Sequence, residues 1–231
     1  MNLFYKASFA YILITSFILG IVLSFVFSFL EPQVLHSATV EDQITVNLNV
    51  LPEISFQTTA IDVILATMSA AGGVASDGAV QVVVSTNNTA GYSMSIKASS
   101  TPALQGVTQS GSIPDYAPSL PNVPDYSFTT PTNVARFGYT VSASTTSDLD
   151  SSFLDNGANT CNVGSNDTGG TQTCWLNLST TNKTIINRPS ATLSSGATTT
   201  IAFKLDMTPN PVPNISADIY TATTTLTAAM N

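Results

Sequence analysis

Cationic side chains are nearly missing from this chain of 231 residues: six Lys and Arg stand against fourteen Asp and Glu, for a formal net charge of −8. A duplex nucleic-acid binder displaces counterions with a basic face, so no nucleic-acid partner is expected. Histidine occurs once, as His36, and cysteine twice, as Cys161 and Cys174. That set is too small for a zinc site of His and Cys ligands. Beyond residue 30 the cations are Lys97, Arg136, Lys183, Arg188 and Lys204, which leaves few groups to stabilise an oxyanion or a phosphate. No G-x-S-x-G elbow, P-loop or G-x-G-x-x-G turn is present. The chain is therefore read as non-enzymatic, with no catalytic residue and no obligatory cofactor. A secreted hydrolase using paired carboxylates stands as a distant alternative.

Charge is also absent from the whole run Ala7–Leu30, which follows Lys6 and precedes Glu31-Pro32. About 20 apolar residues in a helix cross a hydrocarbon core ~30 Å thick, and helix is the form in which such a backbone bonds itself in lipid. Lys6 before the run and Glu31, Glu41 and Asp42 after it orient the N-terminus to the cytoplasm. Two readings of residues 1–38 compete. One is a signal peptide cut near His36-Ser37-Ala38, favoured by the small residues there; the other is a retained membrane anchor. Either delivers residues 39–231 outside the cytoplasm, secreted or held at the cell surface.

Residues 39–231 are rich in hydroxyls: Ser and Thr make up about a quarter of the chain, well above ordinary usage. Threonine is β-branched and suits a strand with one wet face. Period-two alternation predicts strands at Gln43–Val50, with Ile44, Val46, Leu48 and Val50 on one face, and at Tyr92–Lys97, with Tyr92, Met94 and Ile96 inward. It predicts others at Thr200–Asp206, with Ile201, Phe203 and Leu205 inward, and at Ile219–Ala228, with Tyr220, Ala222, Thr224 and Leu226 inward. Val80–Val84 and Phe137–Val141 are further candidates. Clusters such as Asn87–Gly91 and Pro209–Pro213 punctuate them as turns. The fold class is all-β: an antiparallel β-sandwich, Ig-like or jelly-roll-like, behind one hydrophobic helix. Ala60–Ala71 carries Ile61, Ile64, Leu65 and Met68 at helical spacing and is the best candidate for a second helix, a strand leading into a loop being the other reading. Residues 99–131 hold six prolines, which cannot donate to a ladder, and are read as a covering insertion with extended pieces at most.

Cys161 and Cys174 flank a segment of pure turn chemistry. In an extracytoplasmic chain such a pair is most simply a disulfide, with Trp175 packed beside it. The stretch 148–159 concentrates oxygen donors, so Asp148, Asp150, Asp155 and Asn156 are candidate calcium ligands. Neither the glycine nor the glutamate of an EF-hand loop is in place, and these residues equally favour plain turns. Tyr116, Tyr126 and Phe128 in the proline-rich stretch are candidate ligand-stacking residues for glycans, against the alternative that they cap the core beneath the loop. Glycosylation sequons start at Asn87, Asn166, Asn177, Asn182 and Asn214.

The strand Ile44–Val50, the motif Asn88-Thr89-Ala90-Gly91-Tyr92-Ser93-Met94-Ser95-Ile96 and the ending Ala217–Leu226 together resemble bacterial surface β-sandwich proteins of the WxL-like and spore-coat or fimbrial-like types. The single tryptophan gives Trp175-Leu176-Asn177, so the W-x-L motif itself is missing. The resemblance implies a surface structural or adhesive role and assigns no functional residue. The expected function is thus an exported structural or assembly subunit, fimbrial-like or S-layer-associated. A carbohydrate- or host-surface-binding adhesion module is the alternative. Expected partners are the membrane through residues 7–30, glycans, and other surface proteins or copies of this chain through edge strands, Gln43–Val50 and Ile219–Ala228 above all.

Overall fold

The structure is a computed structural model that describes residues 3–29, 41–164 and 173–231. The proposed cleavage point at 36–38 and the sequon at Asn166 lie outside the described residues. The chain divides into two compact units, Met1–Asn49 and Val50–Asn231. In the first, α1 spans Leu3–Phe29, and its segment Ala10–Ser28 is long and apolar enough to cross a membrane.

The second unit is an antiparallel β-sandwich. One sheet is built from β1 (Ile54–Thr58), β2 (Val74–Thr86), β6 (Ala135–Ala143) and β8 (Ala197–Met207), in the order β1-β2-β8-β6. The other holds β3 (Tyr92–Ala98), β7 (Lys183–Arg188) and β10 (Thr224–Met230), in the order β10-β3-β7. Four strands facing three is the layer count of an immunoglobulin constant-type sandwich. A small third sheet joins β4 (Leu104–Gly106), β5 (Ser112–Ile113) and β9 (Tyr220–Thr221).

The predicted alternation forms the core. Val80, Val82 and Val84 of β2, Tyr92, Met94 and Ile96 of β3, and Ile201, Phe203 and Leu205 of β8 are all buried in one cluster with Phe137, Tyr139 and Val141 of β6. Fully burying such a side chain stabilises by roughly 1.5–3 kcal/mol, which sets the register of every central strand. Phe137 stacks on Phe203 across the β6–β8 pair, with ring centroids 6.1 Å apart.

The turn between β2 and β3 carries the chain from one sheet to the other. Asn88 holds it: its Nδ2 donates to the carbonyls of Gly91 (2.8 Å) and Asn231 (3.2 Å), and its own carbonyl accepts from the Gly91 N–H (2.9 Å). Gly91 sits at φ +80°, and a Cβ there would stand 1.9 Å from the Arg188 carbonyl oxygen. The Asn-x-x-Gly-Tyr motif is therefore a clamp on the start of β3 and the end of β10.

Three expectations are corrected. Gln43–Val50 forms no strand, and Ile44, Val46 and Leu48 are 85–87% exposed. Alternation makes a segment competent to pair, but its backbone becomes a strand only beside a neighbour that completes the ladder. Ala60–Ala71 is not helical. Val63, Leu65, Met68 and Ala70 pack against the core while Ile61 and Ile64, half of the supposed stripe, point to solvent. Ser76 Oγ accepts the Ala66 N–H (2.8 Å), and Val63 lies over Gly78, which offers the space. Ile219–Ala228 is two strands, β9 and β10, in different sheets; Tyr220, Ala222, Thr224 and Leu226 are nonetheless half-buried on one face, as the alternation requires.

Candidate functional site

Two regions bring the candidate residues into view: the flank of the sandwich at β6 and β7, and the opposite flank at β1 and β10. On the first, the proline-rich segment runs over the outer face of the larger sheet. Phe137 N–H donates to Pro114 O (3.0 Å) and Tyr116 N–H to Phe137 O (2.7 Å), so the segment adds to the free edge of β6. Gly138 makes the close approach possible. A Cβ at that position would lie 2.8 Å from the Cβ of Tyr116 and 2.9 Å from the Leu176 carbonyl oxygen.

The aromatic candidates separate here. Tyr116 is buried, lies against Phe128 with centroids 4.5 Å apart, and donates its hydroxyl to Asp125 Oδ2 (2.8 Å) and Ser127 O (3.1 Å). Burial, reinforced by the Asp125 carboxylate, raises its hydroxyl above the ordinary tyrosine range. Phe128 meets the edge of Trp175 at 5.2 Å, and Lys204 Nζ lies 5.4 Å from the Phe128 ring and 5.9 Å from the Trp175 ring. Tyr116 and Phe128 are therefore fastened into a packed cluster. Tyr126 alone of the three lines a surface groove, with Ser119, Asp125, Ser127, Thr129 and Asn159. No sequence motif marks Lys204 as a member of this cluster. It sits between two inward residues of β8, so its outward direction is legible from parity alone, but its aromatic partners are 29 and 76 positions away.

Cys161 and Cys174 form a disulfide, both side chains buried. Trp175 lies with Phe128 and Lys204, and its backbone exchanges two hydrogen bonds with Asp125. The bridge thus joins Cys161, which pairs with Asp155, to Cys174, next to the Trp175 backbone that bonds Asp125.

The four proposed calcium ligands each have a local use. Asp148 Oδ2 accepts from Arg188 Nη1 at 2.5 Å, both side chains being largely buried. Asp150 Oδ1 caps the 3-10 turn Ser151–Phe153, accepting from the Ser152 N–H (3.1 Å) and hydroxyl, and lies 3.9 Å from Lys183 Nζ. Asp155 Oδ1 accepts the Gly157 N–H (2.6 Å), and Asn156 Oδ1 accepts from Ala158 and Thr160. Asp and Asn are turn residues for this reason. Among the described residues, no three Asp, Glu, His or Cys side chains converge as a metal site would require.

On the opposite flank, β1 and β10 approach one another as the outer strands of the two sheets. Their inward residues Ile54, Phe56, Leu226 and Ala228 are only half-buried, and Met230 is 43% exposed. The strands just inside them are sealed: Tyr92, Met94, Val82 and Val84 are 0% exposed. A cleft at this flank is lined by Pro52, Ile54, Ser85, Asn87 and Met230. Asn87 spends its amide on the incoming chain, donating to Leu51 O (3.0 Å) and accepting from the Glu53 N–H (2.6 Å).

The sandwich has one further polar anchor. Asp218 accepts from the N–H groups of Thr108, Gln109 and Ile219 and from the Thr108 hydroxyl, and these bonds, that from Gln109 foremost, lower its carboxyl to about 2. It fastens the third sheet at β9 to the loop after β4. No protein-family model matches the chain, and no curated protein matches it.

Proposed function

We propose that the protein is an exported, non-enzymatic subunit of a cell-surface structure, held outside the cytoplasm by or after passage of α1. The observation that carries this reading is the asymmetry of the sandwich. The β6/β7 flank is met by other segments, Pro114–Tyr116 and Leu176 along β6 and Leu149–Asp150 along β7, while the β1/β10 flank keeps uncharged strands with half-covered apolar residues. Unblunted edges of this kind are routes to strand addition between proteins. A disulfide suits an oxidising compartment, and α1 supplies the means of reaching one. The likeness to WxL-like and fimbrial-like surface sandwiches points the same way.

The test is fractionation of cells producing the tagged full chain, with protease shaving and a native gel. Surface exposure together with higher-order species is expected. A soluble cytoplasmic monomer with both thiols reduced would sink the reading.

An adhesion role is the second reading, and one observation favours it: Tyr126 lines an open groove with Asp125 and Asn159. A glycan array comparing the wild type with Tyr126→Ala decides it; absence of any binding by the wild type counts against it.

A further inference from the structure

The open flank and the unpaired segment fit one another. Among the described residues β10 pairs with β3 alone. Thr223 O and Asn231 N–H both face the β3 side, where they meet Ser99 and Gly91. Antiparallel pairing alternates, so the N–H and C=O groups of Thr224, Leu226, Ala228 and Met230 face away from β3. These are the same residues whose side chains are half-covered or exposed on the inner face. Among the described residues this edge has no second ladder partner, and Thr224, Leu226 and Ala228 along it are only half-buried.

Residues 43–50 have the complementary pattern. Their four apolar side chains alternate with Gln43, Thr45, Asn47 and Asn49, and the run is about as long as β10. Ile44, Val46 and Leu48 stand almost wholly in solvent, a costly state for three large side chains in a row. Charge separates this pair, together with β1 beside β10, from the edges β6 and β7. Arg136 lies on β6, and Lys183 and Arg188 lie on β7, whereas neither 43–50 nor β10 carries a charge or a proline. Edges that are meant to stay single are usually blunted by such residues.

We propose that residues 43–50 of one copy add as a strand to the free edge of β10 in a second copy, with Ile44, Val46 and Leu48 turned inward over Leu226, Ala228 and Met230. This rests on the reading of the protein as an assembling surface subunit and names the contact by which it assembles. The polar residues Thr45, Asn47 and Asn49 then continue the hydroxyl-rich outer face made by Thr225 and Thr227.

The test uses two differently tagged full-length chains produced in the same cells. One carries Asn47→Cys, the other Thr225→Cys, Thr227→Cys or Ala229→Cys, all exposed positions on the outward face. Directly opposite residues in an antiparallel pair bring Cα atoms to ~4.5–5.5 Å, inside the range a disulfide spans. A cross-linked species carrying both tags at one of the three positions is expected. Adding Val46→Asp and Leu48→Asp to the first chain reduces its yield at least about tenfold by removing the buried apolar face. Thermal unfolding of the monomeric sandwich is unchanged by these two substitutions, because the segment belongs to no strand of its own chain. A control chain carrying both Asn47→Cys and Thr227→Cys that closes on itself while the two tagged chains do not cross-link, cross-linking indifferent to the aspartates, or none at any position overturns the proposal. A native gel of the wild type separates the two readings. Surface oligomers that survive the aspartates leave the subunit role standing and remove this contact, whereas a cytoplasmic monomer removes both.

Discussion

Arg188 reaches from β7 to donate to Asp148 at 2.5 Å, while its Nε donates to the carbonyls of Ser190 and Ala191 and its Nη2 to that of Ala191. Side-chain exposure is 16% for the arginine and 6% for the aspartate. Removing one partner from such a pair strands the other charge, at a cost of about 3–5 kcal/mol. Arg188→Met is therefore expected to destabilise strongly, and Asp148→Asn combined with it to recover part of the loss. Urea denaturation of the wild type and the two variants in detergent reads the difference; equal stability of Arg188→Met and wild type would show that the pair is not formed.

Gly91 has no room for a side chain. Its φ is +80° and an added Cβ would fall 1.9 Å from the Arg188 carbonyl oxygen. Gly91→Ala must move β7 or the β2–β3 turn, and a loss of more than about 3 kcal/mol is expected. Thermal melting measures it. A change under about 0.5 kcal/mol, the range of ordinary surface substitutions, would contradict the clamp.

Gly138→Ala acts on the outer layer instead. The added methyl meets Tyr116 and the Leu176 carbonyl, so the proline-rich segment lifts while the inward core residues of β6 stay in place. Trp175 is the sole tryptophan and lies against Phe128 of that segment. A red shift and increased quenching of its fluorescence are expected, with the far-ultraviolet spectrum of the sheets retained.

Stability falls at both ends of the pH scale for separate reasons. The Asp218 carboxyl is lowered from 3.8 to about 2, so the stability it contributes is present above the unfolded value and is lost as pH falls through the folded one. Its carboxyl carbon should titrate by NMR near 2, well below an ordinary aspartate. Tyr92 moves the other way: burial, helped by nearby Asp148, pushes its hydroxyl from 10.0 up to about 12. Its contribution is whole below 10 and lost as pH rises towards 12. Burial raises Tyr139 in the same direction. Tyrosinate absorbance should therefore rise cooperatively with unfolding for these two residues. Early, non-cooperative titration of every tyrosine would count against their burial.

The core strands were legible because their information is local. In Val80–Val84, Tyr92–Lys97 and Thr200–Asp206 the side-chain alternation states which face is apolar, and the observed burial agrees with it. The two cysteines were legible for a similar reason, since a turn-rich loop of this length needs little else to bring them together. The surroundings of the aromatic candidates were not. Nothing near Tyr116 in the chain announces Gly138 or Asp125 as its neighbours, and nothing near Asp148 announces Arg188, 40 positions on. The Ala60–Ala71 segment misled because Ile61, Ile64, Leu65 and Met68 do recur at helical spacing, whereas contacts with Ser76 and Gly78 on another element draw Val63 and Leu65 inward in a non-helical backbone.

By itself, then, the order of residues determined an apolar span, an acidic hydroxyl-rich sheet protein behind it, the inward face of each central strand and the cystine. Only the tertiary structure decided which competent strands found partners: Gln43–Val50 alternates as cleanly as β3 yet pairs with nothing described in its own chain, while β10 is left with one bare edge. The reason is that alternation is written along the chain, whereas a ladder's hydrogen bonds are made across it, and the presence of a neighbour is a property of the whole packing.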